Sequence, residues 1–322
     1  MARCLESLSR SPYKDFETLV IDNASKDRSI AYSKNRLPWA RFIEMKKNFG
    51  FGYAANIGVE LSLGRYLVFM NYDIEVDPRW LGELARTFEE DKSVGGCGCK
   101  VLFSGDKNTI DCIGGFVCDI YASGLFPIGH AQADRGQYDA VREVFALPGL
   151  CMAVRREAFI KAGGFDGTYF LMGEDIDLSW RVSLAGYRIA VNPRAVVYHA
   201  GRDTYKKGHI RRKQIRYLVE RNTLRTLLKN YGVKCLVNVL PKFLAMITAE
   251  NFFFIFRGKI DWTASDLKAI LWNIVNFPDT VRARYEVQKR RLLNDINIQS
   301  RMTRRNLRLE LFRKFLCGTL KF

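Results

Sequence analysis

The first hundred residues alternate short apolar runs with segments of helical periodicity. The apolar runs predict strands at 16–22, 41–45, 66–70 and 93–103. The helical periodicity predicts helices at 30–37, 52–63 and 78–88. Alternation of this kind predicts the α/β class, with a mostly parallel sheet sandwiched by helices.

Glycine and polar residues interrupt this pattern at 104–142, which is predicted as a long loop with at most short strands. A loop of this length in a compact domain usually has a function. The alternation then returns as a strand at 146–154, a helix at 155–162, a helix at about 175–185 and a strand or hairpin at 187–199.

From about residue 204 the strand pattern disappears, and apolar and basic residues interleave with helical spacing. The segments predicted as helices are 215–228, 236–256 and 281–322. We therefore divide the chain into an α/β domain at 1–205 and a basic helical C-terminal region at 206–322.

Charge supports the same division. The net charge is +17, but residues 1–200 contain 24 Lys and Arg against 25 Asp and Glu, whereas residues 201–322 contain 27 against 9. A basic second part predicts an anionic partner, for which we favour a membrane surface. Nucleic acid is disfavoured because no recognised nucleic-acid motif accompanies the charge. The alternative is a helical subdomain packed on the first domain, with a solvated basic face.

Composition excludes several classes of protein. With 48% hydrophobic and 26% charged residues, the chain is neither disordered nor collagen-like. Eight cysteines without regular spacing indicate a reducing compartment, and Cys97 and Cys99 lack the further ligands of a zinc site. Residues 1–15 contain no apolar core of a signal peptide, and the longest charge-free run, 120–133, is too short to span a bilayer. We expect no transmembrane helix and a cytoplasmic location.

Polar side chains follow the predicted strands, at the edge where open α/β sheets bind ligands. Asp22 can accept hydrogen bonds from a ribose or a base, or it can cap the helix that follows. Asp73 supplies a carboxylate of the kind that holds a divalent cation, and Asn71 could coordinate weakly or bond a ribose. His199, taken by itself, is interpreted as a partly buried histidine whose polar atoms are satisfied within the protein.

Three acids open the helix predicted at about 175–185. Repulsion among Glu174, Asp175 and Asp177 predicts a raised pKa on at least one of them, towards the range of a general base. We assign Asp175 as the base and Glu174 as the fallback, and we expect Asp177 to cap the helix or to pair with Arg181. The alternative is a solvated helix N-terminus.

These polar segments occur in a fixed order along the chain. They are Val20-Ile-Asp22-Asn23-Ala-Ser25, Asn48-Phe-Gly50-Phe-Gly-Tyr-Ala-Ala-Asn56, Asn71-Tyr-Asp73, Gly173-Glu174-Asp175-Ile-Asp177-Leu-Ser-Trp180-Arg181 and His199. In this order they resemble the motifs of family 2 glycosyltransferases of the GT-A fold, nearest to the rhamnosyltransferase-like branch that builds surface polysaccharides. The resemblance covers roughly residues 1–203.

The resemblance implies an inverting, metal-dependent enzyme that moves a sugar from a nucleotide-diphosphate donor to a hydroxyl of a glycan or lipid-linked acceptor. It implies Mg²⁺ or Mn²⁺ on Asp73 and His199, a base at Asp175 or Glu174, and a peripheral place at the inner face of the cell membrane. Donor contacts are implied for Asp22, Asn23, Ser25, Asn48, Gly50, Asn56, Asn71 and Asp73. Positions on the acceptor side or in support of it are implied for Asp177, Trp180 and Arg181.

The sequence departs from the family in two places. It begins with a helical segment, 2–9, where the family begins with a buried strand, so the first family strand is missing from it. Gln214-Ile-Arg216-Tyr lacks the Gln-x-x-Arg-Trp pattern of processive synthases, which favours single additions of sugar. The missing strand and Asn71 keep a second hypothesis open, a truncated or non-catalytic relative that acts as a membrane-surface binding or scaffold protein.

Overall fold

The computed structural model describes residues 1–122, 125–200 and 212–316, and the predicted domain boundary at 205–206 lies outside the described residues. The strands are β1 Leu19–Asp22, β2 Arg41–Glu44, β3 Tyr66–Met70, β4 Ile74–Val76, β5 Val94–Phe103, β6 Asp106–Cys112, β7 Phe116–Cys118, β8 Leu125–Pro127, β9 Arg142–Glu143, β10 Cys151–Arg155 and β11 Arg188–His199. The helices are α1 Ala2–Ser9, α2 Ser29–Arg36, α3 Phe51–Glu60, α4 Trp80–Glu90, α5 Arg156–Ala162, α6 Glu174–Leu184, α7 Arg212–Asn230, α8 Val233–Phe256, α9 Ile260–Val275, α10 Phe277–Lys289, α11 Asp295–Gln299 and α12 Leu307–Leu316.

Seven strands form the central sheet, in the order β3-β10-β5-β11-β4, with β6 beside β5 and β9 beside β11. β10 runs antiparallel to β3 and β5, whereas β11 runs parallel to β5. The carboxyl ends of β3, β5 and β11, at Met70, Phe103 and His199, therefore share one edge of the sheet. β4 begins at the same edge, because it pairs antiparallel with β11 and places Ile74 opposite His199.

Small residues allow β5 to occupy the middle of this sheet. At Gly98 a Cβ atom would lie 2.1 Å from the carbonyl oxygen of Gly114. The backbone at Gly114 can therefore approach β5 this closely only because residue 98 has no side chain. Cys97 and Cys99 on either side are fully buried thiols. They pack in the apolar core beside the sheet.

β1 and β2 form a separate parallel pair. Among the described strands, β1 pairs only with β2, and β3 pairs only with β10. This parallel pair is therefore separate from the parallel strands β3, β5 and β11 of the central sheet. α3 covers β1, because Gly58 brings the helix backbone against the side chain of Ile21.

The alternation predicted for the first hundred residues is confirmed, with boundaries that differ by a few residues. The stretch 104–142 is more regular than predicted, since β6 is a seven-residue strand paired with β5. β4 was not predicted, because three residues are too few to show a period. The helix predicted at 281–322 is wrong as one element: the chain there forms the end of α10, then α11 and α12.

The helical region packs directly on the α/β domain. One apolar cluster contains Trp180 of α6, Leu227 of α7 and Phe243 of α8, together with Phe145 and Tyr231. The rings of Trp180 and Tyr231 meet edge to face with their centroids 4.6 Å apart. The helical subdomain that the sequence left as an alternative is therefore present, and it shares its core with the domain.

α8 is 24 residues long and is apolar enough, by length and composition, to cross a membrane. This finding rests on length and composition alone, so the expectation of no transmembrane helix stays a prediction. That expectation rested on charge-free runs, and the apolar sequence of α8 is interrupted by Lys242 and Glu250.

Candidate active site

A strained turn presents the acids at the start of α6. Met172 and Gly173 both have left-handed backbone conformations, with φ of 74° and 86°. Asn222 of α7 holds this turn, because its Nδ2 donates hydrogen bonds to the carbonyl oxygens of Leu171 and Met172 at 2.9 and 2.6 Å. The helical region therefore positions the turn that carries the acids.

Asp175 lies next to the end of β3. Its Oδ2 accepts a hydrogen bond from the backbone N–H of Gly149 at 2.8 Å. The following residue, Leu150, accepts a hydrogen bond from the backbone N–H of Asn71 at 2.9 Å. Burial raises the pKa of Asp175, although hydrogen bonds from the N–H groups of Gly149 and Ile176 oppose the rise. The residue is partly exposed, so this carboxylate with a raised pKa is a candidate base.

Glu174 has different surroundings. It is only 7% exposed, and its Oε2 is buried without a hydrogen-bond partner. Burial, reinforced by the nearby charge of Asp175, raises the pKa of Glu174 to about 8. At neutral pH Glu174 is therefore mostly protonated, and it is a poorer candidate for the base than Asp175.

Asp177, Trp180 and Arg181 are 0%, 0% and 4% exposed, so they do not line an open surface, and their implied role in support of the acceptor side stays a prediction. α6 turns these side chains towards α7. Arg181 Nη2 lies 2.7 Å from Asp177 Oδ2, the pairing predicted from their spacing. Lys229 Nζ of α7 lies 3.0 Å from the same oxygen and 2.6 Å from Asp166 Oδ2. These residues fasten the helical region to α6.

Asp73 and His199 meet at the shared strand edge. His199 Nε2 lies 3.6 Å from Asp73 Oδ2, and His199 Nδ1 bonds Asp111 Oδ2 at 2.6 Å. Burial lowers the pKa of His199, but the hydrogen bonds to Asp111 and Asp73 outweigh it and raise the pKa to about 9. Burial raises the pKa of Asp73, and the hydrogen bond and charge of His199 reverse this and hold it below its usual value.

This pair fits a divalent cation. Asp73 Oδ1 is buried without a hydrogen-bond partner, and His199 Nε2 faces the same carboxylate. Asp111 orients the imidazole from its other nitrogen, as carboxylates do beside metal-binding histidines. In the described part of the chain no cluster of three or more His, Cys, Asp or Glu side chains is arranged to hold a metal. A cation here would therefore take further ligands from a diphosphate and water.

The loops that follow β1 and β2 are tied together. Asn23 donates to the carbonyl oxygen of Gly50 at 3.0 Å and accepts from the backbone N–H of Phe49 at 2.9 Å. Asn48 Oδ1 accepts from the N–H of Gly50 at 2.9 Å. Gly50 has a φ of 89°, and a Cβ atom there would lie 2.3 Å from the carbonyl oxygen of Phe170. The two loops thus approach the segment that leads to α6.

Two implied donor residues have partners within the protein. Asp22 Oδ1 accepts from the backbone N–H of Ser25 at 3.0 Å, a turn contact that precedes α2. The N-cap residue of α2 is Arg28 and no side chain caps it, so the capping role that the sequence left open for Asp22 is wrong. Asn56 bonds both backbone polar groups of Phe165, at 2.9 and 3.0 Å. Asn56 therefore joins α3 to the segment before α6 and acts as a structural residue.

The sequence did not single out Asp111 or give Asn222 a role. Asp111 falls within the stretch taken as a loop, so no pattern placed it beside His199. Asn222 lies among basic residues of α7, and only the contact between α7 and the turn at Met172 shows its role.

The family model for Glycosyl transferase family 2 matches residues 1–162, half of the chain. This chain belongs to glycosyl transferase family 2. The family predicted from the motifs is confirmed, and the chain carries a family 2 glycosyltransferase domain.

Curated relatives agree with the rhamnosyltransferase-like branch. The chain is 28% identical over 199 residues to the O-antigen biosynthesis protein RfbC of Myxococcus xanthus, covering 60% of this chain and 15% of that protein. It is 27% identical over 220 residues to an N-acetylglucosaminyl-diphospho-decaprenol L-rhamnosyltransferase of Mycobacterium tuberculosis, covering 62% of this chain and 71% of that protein. The chain thus spans a small part of RfbC and most of the rhamnosyltransferase.

Solved structures confirm the GT-A fold. A structure of GalNAc-T7 with UDP, GalNAc and Mn²⁺ matches with a TM-score of 0.55 and 16% identity, over 72% of this chain and 45% of that one. A structure of S. aureus TarS 1-349 in complex with UDP-GlcNAc matches with a TM-score of 0.55 and 15% identity, over 89% and 86% of the two chains. At these identities the likeness establishes the fold alone.

Proposed function

We propose that this family 2 glycosyltransferase moves a sugar from a nucleotide-diphosphate donor to a hydroxyl of a glycan or lipid-linked acceptor, one sugar at a time. The observation that carries the proposal is the position of Asp175. Its carboxylate, with a pKa raised by burial, is bonded to Gly149 directly beside the strand end that leads to Asp73. A base and a candidate cation site thus lie at one edge of the sheet.

Asp175 acts as the general base. Its carboxylate takes the proton of the acceptor hydroxyl while the acceptor oxygen bonds the anomeric carbon and the bond from that carbon to the diphosphate oxygen breaks. Attack from the face opposite the leaving group inverts the anomeric configuration. Gly149 N–H holds the carboxylate in place, and the braced turn at Met172 and Gly173 limits its motion.

Asp73 and His199 hold Mg²⁺ or Mn²⁺ in this proposal. The bound cation supplies charge neutralisation for the diphosphate leaving group. Asp111 keeps Nε2 of His199 directed towards Asp73, and the loops at Asn23 and Asn48–Gly50 form the donor side. The GalNAc-T7 structure, solved with UDP and Mn²⁺, supports a divalent cation in this role.

The acceptor is proposed to be a lipid-linked sugar at the inner face of the cell membrane. The mycobacterial relative is named for a sugar linked by a diphosphate to decaprenol, which supports a lipid-linked acceptor. The basic C-terminal region supports a place at an anionic membrane surface.

Sugar transfer from UDP-, GDP- and dTDP-sugars to a prenyl-diphosphate-linked sugar, with Mn²⁺ present, tests the proposal. We expect one donor to give a product one sugar larger by mass spectrometry, with the anomeric configuration inverted by NMR. Donor binding without transfer for every combination would favour the non-catalytic hypothesis. A ladder of larger products would contradict single addition.

A further inference from the structure

The C-terminal end of α8 and the outer side of α9 expose large apolar side chains. We define the apolar face as Phe252, Phe256, Ile260, Leu267, Leu271 and Ile274, which are between 58% and 89% exposed. The four positions on α9 follow helical spacing and lie along one side of that helix. Contiguous apolar surface of this kind marks an interaction site.

The polarity of α9 is the reverse of that of a helix on a water-soluble domain. Its buried side carries Thr263, Asp266 and Asn273, while its outer side is apolar. Asp266 pairs with Arg216 of α7 at 2.7 Å, and Asn273 donates to a carbonyl oxygen of α7 at 3.0 Å. A helix that faces water places its polar side outward. A helix that faces hydrocarbon places polar groups inward, against other helices.

Exposed positive charges outnumber exposed negative ones on the two helices that carry the apolar face. On α8, α9 and the turn between them, the exposed charged side chains are Lys234, Lys242, Arg257, Lys268 and Asp261, of which Arg257, Lys268 and Asp261 are nearest to the apolar face in the chain. A net positive exposed charge on helices that carry an apolar face complements a membrane whose headgroups are anionic. It does not complement a second copy of the same surface, which would bring like charges together.

α8 contacts protein along one side. Val239, Phe243 and Ile247 belong to the apolar cluster that contains Trp180 of α6. Only 28% of its most apolar stretch is buried, so the other side is open. Because α8 shares its core with the catalytic domain, protein covers one side of it and the helix is not surrounded by lipid.

We propose that the apolar face inserts into the acyl region of an anionic lipid bilayer and holds the catalytic domain on the membrane. Insertion differs from adsorption of a basic tail, because hydrocarbon contact is not screened by salt. The inference specifies the membrane contact of the proposed function, but its test does not require sugar transfer.

Co-sedimentation with vesicles of phosphatidylcholine and phosphatidylglycerol tests the proposal. We expect the bound fraction in about 1 M salt to stay within about twofold of that in about 0.1 M salt. The double variant Leu267→Glu, Leu271→Glu should lower the affinity for vesicles at least about tenfold, because the transfer of two leucine side chains from water into hydrocarbon no longer contributes to binding. Ile160→Glu, at an exposed apolar residue of α5, is the matched control and should bind as the unchanged protein does.

Two results would overturn the proposal. Binding that disappears in high salt and is insensitive to the double variant would indicate electrostatic adsorption alone. Failure to bind, with a dimer in sedimentation velocity that the double variant dissociates, would show that the face covers a second copy. Phe256→Glu, 89% exposed at the end of α8, gives a second variant, and circular dichroism checks that each one folds. Absence of sugar transfer would leave these outcomes unaffected.

Discussion

Glu174 and Asp175 are adjacent in the chain but have different surroundings. Asp175 is half-buried and held by the N–H of Gly149, whereas Glu174 is nearly enclosed with one oxygen unpartnered. Burial raises the pKa of both, and that of Glu174 reaches about 8. The sequence showed three acids at one helix start but could not separate them, because burial depends on how α6 and α7 pack.

Glu174→Gln should remove a pH-dependent loss of stability. The pKa of Glu174 is raised from 4.5 to about 8 in the folded state, so folding favours the protonated carboxyl group. The contribution of this group to the free energy of unfolding is therefore complete below about pH 4.5 and is lost as the pH rises through about 8. Relative to the unchanged protein, the free energy of unfolding of Glu174→Gln should be larger at alkaline than at mildly acidic pH, by on the order of a few kcal/mol. Urea unfolding at both pH values measures this, and an equal difference at both would contradict it.

Asp111→Asn should weaken Mn²⁺ binding. The substituted amide would keep a hydrogen-bonding group beside His199 but would remove the negative charge that strengthens the imidazole as a ligand, which typically costs about 10–100-fold in affinity. Calorimetric titration with Mn²⁺ measures the change. Asp106→Asn, an exposed residue of the same strand, is the control and should leave the affinity unchanged. Equal affinities in all three proteins would argue against a metal on His199.

At the scale of elements, regular patterns were predictable and contacts between distant segments were not. The strand at 66–70 has the predicted bounds, and the strand predicted at 16–22 ends at Asp22 as predicted but begins three residues later, at Leu19. β4 is too short to show a pattern, and β6 is predominantly polar because only part of it is buried. The roles of Asp22 and Asn56 also depend on partners that the sequence does not show, since Asn56 bonds a residue 109 positions away.

Asn222→Ala should impair catalysis through the turn that precedes α6. The substitution leaves the carbonyl groups of Leu171 and Met172 without their donor, at a cost of about 1–3 kcal/mol in the free energy of unfolding. A looser turn displaces Asp175, and we expect at least about a tenfold loss in kcat.

Asn273→Ala is the matched control for this element. Asn273 also donates to two carbonyl oxygens, those of Arg221 and Ala269, but it does not contact the turn. The Asn273→Ala variant should lose about as much free energy of unfolding as Asn222→Ala, but it should keep the kcat of the unchanged protein for a soluble acceptor. Equal kcat losses in the two variants would show that Asn222 acts only on stability.

At the scale of the whole molecule, the two parts defined by charge form one folded unit. Lys229 of α7 is 2% exposed and lies between Asp166 and Asp177 of the α/β domain. The sequence predicted a basic helical region, but it did not show that buried ion pairs join this region to the domain. Charge counts report composition, whereas pairing depends on which side of each helix faces inward.

Lys229→Ala should destabilise the entire chain. The substitution removes the ammonium group that neutralises the buried carboxylates of Asp166 and Asp177, which costs about 3–5 kcal/mol in the free energy of unfolding. Lys161→Ala removes an exposed pair with Glu157 and should change stability by less than about 1 kcal/mol. Urea unfolding followed by tryptophan fluorescence compares the two. A small effect of Lys229→Ala would contradict the role of this contact in joining the two parts.

The central claim is that Asp175 is the base of a glycosyltransferase, and one comparison tests it most directly. Donor binding and sugar transfer are measured for the unchanged chain, Asp175→Asn and Glu174→Gln, with Mn²⁺ and the best donor. We predict that all three bind the donor with affinities within about threefold, while transfer falls about 10²–10⁴-fold in Asp175→Asn and is largely kept in Glu174→Gln. Transfer at the unchanged rate in Asp175→Asn, or its loss only in Glu174→Gln, would contradict the assignment.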